Sequence, residues 1–105
     1  MIALDRPRPV RFHHFTRTAH LISTIKSPHS TEELITFARR IGLRAEWIQY
    51  PGHWKEHFDL FDEAILRAKD AGAIEVSRRR LAEMNERRIL HRARFDGAPL
   101  PYPAP

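Results

Sequence analysis

A small, mostly parallel sheet of three or four strands with about three helices packed on it, an α/β domain, is the fold this sequence predicts. Short apolar, β-branched segments alternate with amphipathic ones in the order strand, helix, strand, helix, strand, helix. The chain of 105 residues, 42% of them apolar, is long enough for one core and too short for two. A single domain over 1–97 is expected, followed by a proline-rich extended tail over 98–105, where Pro99, Pro101, Pro103 and Pro105 forbid a helix.

Met1 to Asp5 reads as a short strand, ended by Arg6-Pro7-Arg8-Pro9 because proline lacks a backbone donor. A loop carrying His13, His14 and Arg17 follows, then a second strand over Ala19-His20-Leu21-Ile22-Ser23. Ser30-Thr31-Glu32-Glu33 has the spacing of a capping box, with Ser30 and Glu33 serving each other's unpaired N–H groups. The helix it opens is placed at 31–41, with Leu34, Phe37, Ala38 and Ile41 at helical spacing and Gly42 as a left-handed stop. Glu46-Trp47-Ile48-Gln49-Tyr50 has strand composition and is closed by Pro51-Gly52, after which His53 to Leu60 reads as irregular. Asp62 is the expected N-cap of a second helix that ends at Gly72. Ala73 to Val76 forms a last strand, and Ser77 caps a third helix on which Leu81 and Met84 are apolar.

Composition excludes several function classes. With no cysteine there is no disulfide, no thiolate zinc site and no cysteine nucleophile, so a metal would need His and carboxylate ligands. No apolar run approaches the about 20 residues of a membrane span. Met1 to Arg6 carries charges where a signal peptide is apolar, so the expected location is cytoplasmic, with no membrane partner. A net charge of +5 favours anionic partners. There is no Walker loop, no Gly-x-Gly-x-x-Gly and no Ser-His-Asp arrangement, and no cofactor is called for.

His57-x-Asp59 puts an imidazole and a carboxylate on the same side of an extended segment, and His20 from a neighbouring strand completes a possible metal set of His20, His57 and Asp59. The plainer reading has Asp59 capping a helix and both histidines bonded to backbone. Asp5 is either a general base or a loop anchor paired with Arg6 or Arg8. Trp54, between His53 and Lys55, is the aromatic best placed to stack on a ligand, whereas Trp47 reads as core. Arg78, Arg79, Arg80, Arg87, Arg88, Arg92 and Arg94 make the third helix basic, either a solvated face or a track for phosphates. The proline-rich tail can fray or dock on a partner or a second subunit.

His20-Leu21-Ile22-Ser23, Glu33-Leu34, Phe37-Ala38, Ile41-Gly42-Leu43, His57-Phe58-Asp59-Leu60 and Gly72-Ala73 with Val76 occur in an order that resembles domain-of-unknown-function family 4031, small proteins of actinobacteria and their phages. The resemblance spans about positions 2 to 84 and implies that Asp5, His20, Ser23, His57, Asp59 and Arg79 are its polar positions. The chain departs from the family pattern at Thr24-Ile25, where Asp-Thr is usual, and at Phe61, where a Ser or Thr cap is usual. The first departure removes a carboxylate that could serve a metal.

Three functional expectations follow. The first is a binding module for a small anionic, nucleotide-like ligand held by His20, Ser23, Trp54, His57 and Arg79; the phage context implied by the resemblance would have it sequester a host signalling nucleotide. The second is a metal-dependent hydrolase or nuclease using Asp5, His20, His57 and Asp59. The third is nucleic-acid binding through the arginine-rich helix.

Overall fold

Phe15–Ser23 forms the longest strand, and most of the sheet is laid out along its two edges. The computed structural model describes residues 1–25 and 29–85, so the expected proline-rich tail, Arg87, Arg88, Arg92 and Arg94 lie outside the described residues. The elements are β1 (Ile2–Asp5), β2 (Arg8–Phe12), β3 (Phe15–Ser23), α1 (Ser30–Arg40), a 3-10 turn (Ala45–Trp47), β4 (Phe58–Phe61), α2 (Glu63–Asp70), β5 (Ile74–Val76) and a third helix, α3 (78–85).

The α/β class holds, but among the described residues the sheet has five strands and is mixed rather than mostly parallel. β1, β2 and β4 all pair antiparallel to β3, and among the described strands only β1 with β5 is parallel. Thr18 lies opposite both Arg8 and Phe61, and Leu21 opposite both Leu4 and Phe58. β1 and β2 therefore run end to end along one edge of β3, and β4 takes the other. The expected loop around His13 is a hairpin turn, with His13 at φ 53°. Pro9 is tolerated inside β2 because that strand forms an edge of the sheet, where a missing N–H breaks no second ladder.

The strand expected over 46–50 is instead the 3-10 turn followed by a single bridge between Gln49 and His57, while the segment read as irregular supplies β4. Phe58 and Leu60 point to the main core and Asp59 to the other face, which is the two-residue period of a strand.

One face of the sheet carries Leu4, Leu21, Phe58 and Leu60 into a core closed by Leu34, Phe37 and Ala38 of α1 and Ala64, Ile65 and Ala68 of α2. The opposite face packs Ala3 and Ile22 under Leu81 of α3. Both core helices end as expected of Gly42 and Gly72: each glycine has positive φ, and the following residue's N–H returns to a carbonyl five residues earlier, Leu43 to Ala38 and Ala73 to Ala68.

The expected caps are redistributed. α1 begins at Ser30 with no side-chain cap; Ser30 donates to Glu56, and Glu33 pairs with the terminal amine of Met1. Asp62 precedes α2, but its carboxylate accepts from the backbone of Thr16 and Arg17, tying the hairpin to the helix. Ser77 does cap α3, accepting the Arg80 N–H at 3.1 Å.

Candidate metal centre

The site begins where β1 breaks. Leu4 is the last residue of β1 opposite β3, where it faces Leu21, and pairing resumes at Arg8 opposite Thr18, so four steps on one strand face three on the other, a local bulge at Arg6-Pro7. Pro7 has no N–H to offer. The His20 N–H is taken instead by Asp5 Oδ1 at 2.7 Å, and Asp5 Oδ2 lies 2.8 Å from His20 Nδ1. Asp5 is fully buried, so its carboxylate is committed to this pair. Burial pushes the Asp5 carboxyl up, but the side-chain and backbone hydrogen bonds of His20 and the charges of His20 and Arg8 outweigh it, leaving it below the ordinary value. An ionised Asp5 requires the proton on Nδ1, which turns the Nε2 lone pair outward.

β4 supplies the other half. Asp59 is the direct cross-strand partner of His20, and His57 stands two residues before it on the same side. His57 Nδ1 donates to the Lys55 carbonyl at 2.7 Å, which leaves its Nε2 directed at Asp59 Oδ1, 3.3 Å away. His20 Nε2 is 3.8 Å from the same oxygen, and the two imidazole rings meet edge to face at 5.1 Å. One donor atom from each of His20, His57 and Asp59 falls within a 4.8 Å span.

The Nε2 atoms of His20 and His57 and an Asp59 oxygen thus converge, with Arg8 donating to His20 Nε2 and a proton or a cation needed between His57 and Asp59. Burial pushes His57 down, yet the hydrogen bond to Asp59, the Lys55 carbonyl and the charges of Asp59 and Asp5 hold it above its ordinary 6.5. The His57 hydrogen bond chiefly pulls Asp59 below its ordinary 3.8, against burial and with help from the charges of His57, His20 and Arg8.

A pH dependence follows with a definite sign. The raised His57 contributes stability that is complete below pH 6.5 and is lost as pH rises through its folded value. The depressed Asp5 and Asp59 contribute stability present above pH 3.8 and lost as pH falls through their folded values. The melting temperature of chelator-treated protein should therefore be highest between those limits and decline toward alkaline pH, a trend that scanning fluorimetry across buffers reads directly.

The flanks of the cluster differ. The Arg8 guanidinium lies 3.5 Å from His20 Nε2. Asp59 also lines a groove of about 710 Å³ that runs past Phe61, Phe12, Phe15 and Trp47, with the Phe15 and Phe61 rings stacked at 4.7 Å. Trp47, expected in the core, is half exposed here.

Of the residues singled out from sequence, the structure brings Asp5, His20, His57 and Asp59 together. Ser23 does not join them: it is buried, three residues beyond His20, and its hydroxyl accepts the Ile25 N–H. Trp54 stacks on His53 with the Lys55 ammonium over its ring, and Arg79 is 92% exposed beside Glu83. Sequence reasoning passed over Glu56. It is fully buried and accepts hydrogen bonds from Ser30, Thr31 and the Gly52 N–H, locking the loop before β4 onto the start of α1. No spacing rule links positions 30 and 56, and Ser30 and Thr31, which bond Glu56, read as part of a cap.

No helix among the described residues is long and apolar enough to cross a membrane. The family model described as "Protein of unknown function (DUF4031)" matches residues 4–88. No curated protein and no solved structure matches the chain.

Proposed function

The chain belongs to the DUF4031 family of proteins of unknown function, and from that premise we propose that it is a metal-dependent hydrolase acting on an anionic substrate. The observation that carries this reading is the convergence of His20 Nε2, His57 Nε2 and an Asp59 oxygen, with each imidazole already oriented from behind by Asp5 or the Lys55 carbonyl. Metal-bound histidines are held in this way by a carboxylate or a carbonyl on the far nitrogen.

Zinc suits the donor set. Bonds of about 2.0–2.1 Å at tetrahedral angles separate ligand atoms by about 3.3 Å. The separations of 3.3 and 3.8 Å to Asp59 need only a small side-chain adjustment to meet that. Two histidines and one carboxylate leave a fourth position for water, whose pKa zinc lowers to about 7. A zinc ion held by His20, His57 and Asp59 would supply a polarised water as the nucleophile for an ester. Arg8 at 3.5 Å from His20 is placed to hold negative charge on such a substrate once a cation takes the His20 lone pair.

A nucleotide-binding module without catalysis draws less support, because the Ser23 hydroxyl is turned to the Ile25 N–H and Arg79 stands exposed beside Glu83. The reading is tested by equilibrium dialysis against zinc followed by hydrolysis of nitrophenyl phosphate esters and carboxylic esters. Stoichiometric zinc, with turnover abolished by chelator and restored by zinc, is expected; failure to take up any divalent metal contradicts it. Asp5→Asn, which keeps the side-chain volume but loses the charge behind His20, should lower zinc affinity about 10–100-fold, as measured by competition with a chromophoric chelator.

A further inference from the structure

We propose that the cleft beyond the paired ends of β1 and β5 is a phosphate subsite, formed by Arg6, Arg8 and Arg78, so that the substrate is a phosphorylated small molecule. The inference deepens the hydrolase reading by naming the substrate class of that centre, although the cleft itself does not need the metal.

The argument begins with register. β1 and β5 are the one parallel pair among the described strands, with Ala3 opposite Ile74, Leu4 opposite Glu75 and Asp5 opposite Val76. Parallel strands end at the same level, so the residues that follow, Arg6-Pro7-Arg8 and Ser77-Arg78, emerge side by side. Open α/β sheets bind ligands in the crevice outside such carboxyl ends. Here the crevice is a cleft of about 240 Å³ lined by Arg6, Pro7, Arg8, Ser77 and Arg78, with no acidic residue in its wall.

Three arginines border one cleft; the Arg8 charge is partly balanced by Asp5 and Asp59, whereas Arg6 and Arg78 bring positive charge to the rim that an anion would offset. Among the described residues none of the three is ion-paired with a carboxylate, in contrast to Arg44, Arg67, Arg79 and Arg80. The Ser77 hydroxyl already accepts the Arg80 N–H, so the donors offered to a ligand are the arginine forks and not the helix end. Guanidinium forks match phosphate oxygens in pairs, and three arginines on one cleft suit a dianion better than a lone carboxylate. The volume is below the about 300–1,000 Å³ of pockets that enclose whole drug-sized ligands. The cleft therefore fits one charged group, with the rest of the ligand outside it. Arg8 gives the direction: it lines the cleft and also approaches His20 Nε2, so a phosphate held there abuts the metal ligands.

The test is calorimetric titration of sodium pyrophosphate, at constant ionic strength, into full-length protein stripped with chelator and dialysed. Pyrophosphate should bind the stripped wild type, and Arg6→Gln and Arg78→Gln should each weaken it by about tenfold or more, as loss of a charge-assisted hydrogen bond implies. Arg79→Gln removes the same charge one position along and should change affinity less than about twofold. Absence of binding to the wild type, or an equal loss in Arg79→Gln, overturns the subsite. So does binding of a single-stranded oligonucleotide that depends on Arg6 and Arg78 when pyrophosphate does not bind. Zinc titration of the same variants reads the metal separately: Arg6→Gln and Arg78→Gln should keep wild-type zinc affinity, so either half can fail without the other.

Discussion

Replacing His57 by alanine should reduce zinc affinity by on the order of a thousandfold while leaving the chain folded. Zinc sites in small domains have apparent binding free energies of about 10–16 kcal/mol, and one ligand of three carries roughly a third of that. The fold should survive because the pairing of this segment is made by backbone atoms: the Gln49 and His57 peptide groups exchange hydrogen bonds of 2.8 and 3.1 Å, which alanine retains. What alanine removes is the imidazole between the Lys55 carbonyl and Asp59. Competition with a chromophoric chelator gives the affinity, and circular dichroism of the same sample reports the fold. His57→Ala should also abolish the alkaline decline in stability of chelator-treated protein, since that decline belongs to the imidazole paired with Asp59.

Glu56→Ala should have the opposite signature, with a large loss of stability first and a loss of metal binding as its consequence. The Glu56 carboxylate is fully buried and accepts from the Ser30 and Thr31 hydroxyls and from the Gly52 N–H at 2.9 Å. Its removal leaves the buried Ser30 hydroxyl facing an apolar methyl, while half-buried Thr31 and the exposed Gly52 N–H lose their charged acceptor. Hydrogen bonds to a charged group are worth about 1.5–3 kcal/mol each, and a net loss of about 3 kcal/mol is a large share of the 5–15 kcal/mol by which small domains are stable. For a domain of this size that is a fall in melting temperature on the order of 20 °C. Glu56→Gln keeps one acceptor oxygen and should fall between the two. Thermal denaturation with and without zinc separates this effect from that of His57→Ala, because zinc should rescue Glu56→Ala in part and His57→Ala hardly at all.

These two neighbours show what a linear sequence can carry. The spacing of His57 and Asp59 is local, and an extended backbone is enough to put both on one side. The glycine stops at Gly42 and Gly72 and the cap at Ser77 are equally local, and each stands where the pattern places it. The partners of Asp5 and Glu56 are not local. Asp5 reads as an anchor for Arg6 or Arg8, whereas a bulge in the sheet hands it the backbone and ring of His20. Ser30 and Asp62 both have the chemistry of a cap, yet tertiary contacts with Glu56 and with Thr16 and Arg17 claim them.

The sheet was misread for the same reason. Pro7 and Pro9 read as the end of a strand, but at an edge they interrupt only one ladder, so the chain continues into β2 and turns back at His13 as a hairpin. That hairpin makes the sheet mixed. It also sets His20 across from Asp59 and brings Arg8 beside His20, a proximity that no spacing rule exposes. Arg78 rather than Arg79 lines the cleft because the parallel register of β5 fixes where α3 starts.

X-ray absorption at the zinc edge on zinc-loaded full-length protein bears most directly on the centre proposed at His20, His57 and Asp59. Two imidazole nitrogens and a small number of oxygen donors around each zinc, with one imidazole lost in His57→Ala and in His20→Ala, is the predicted result. A shell of oxygens alone, or a spectrum unchanged by either substitution, would place the ion elsewhere and contradict the assignment.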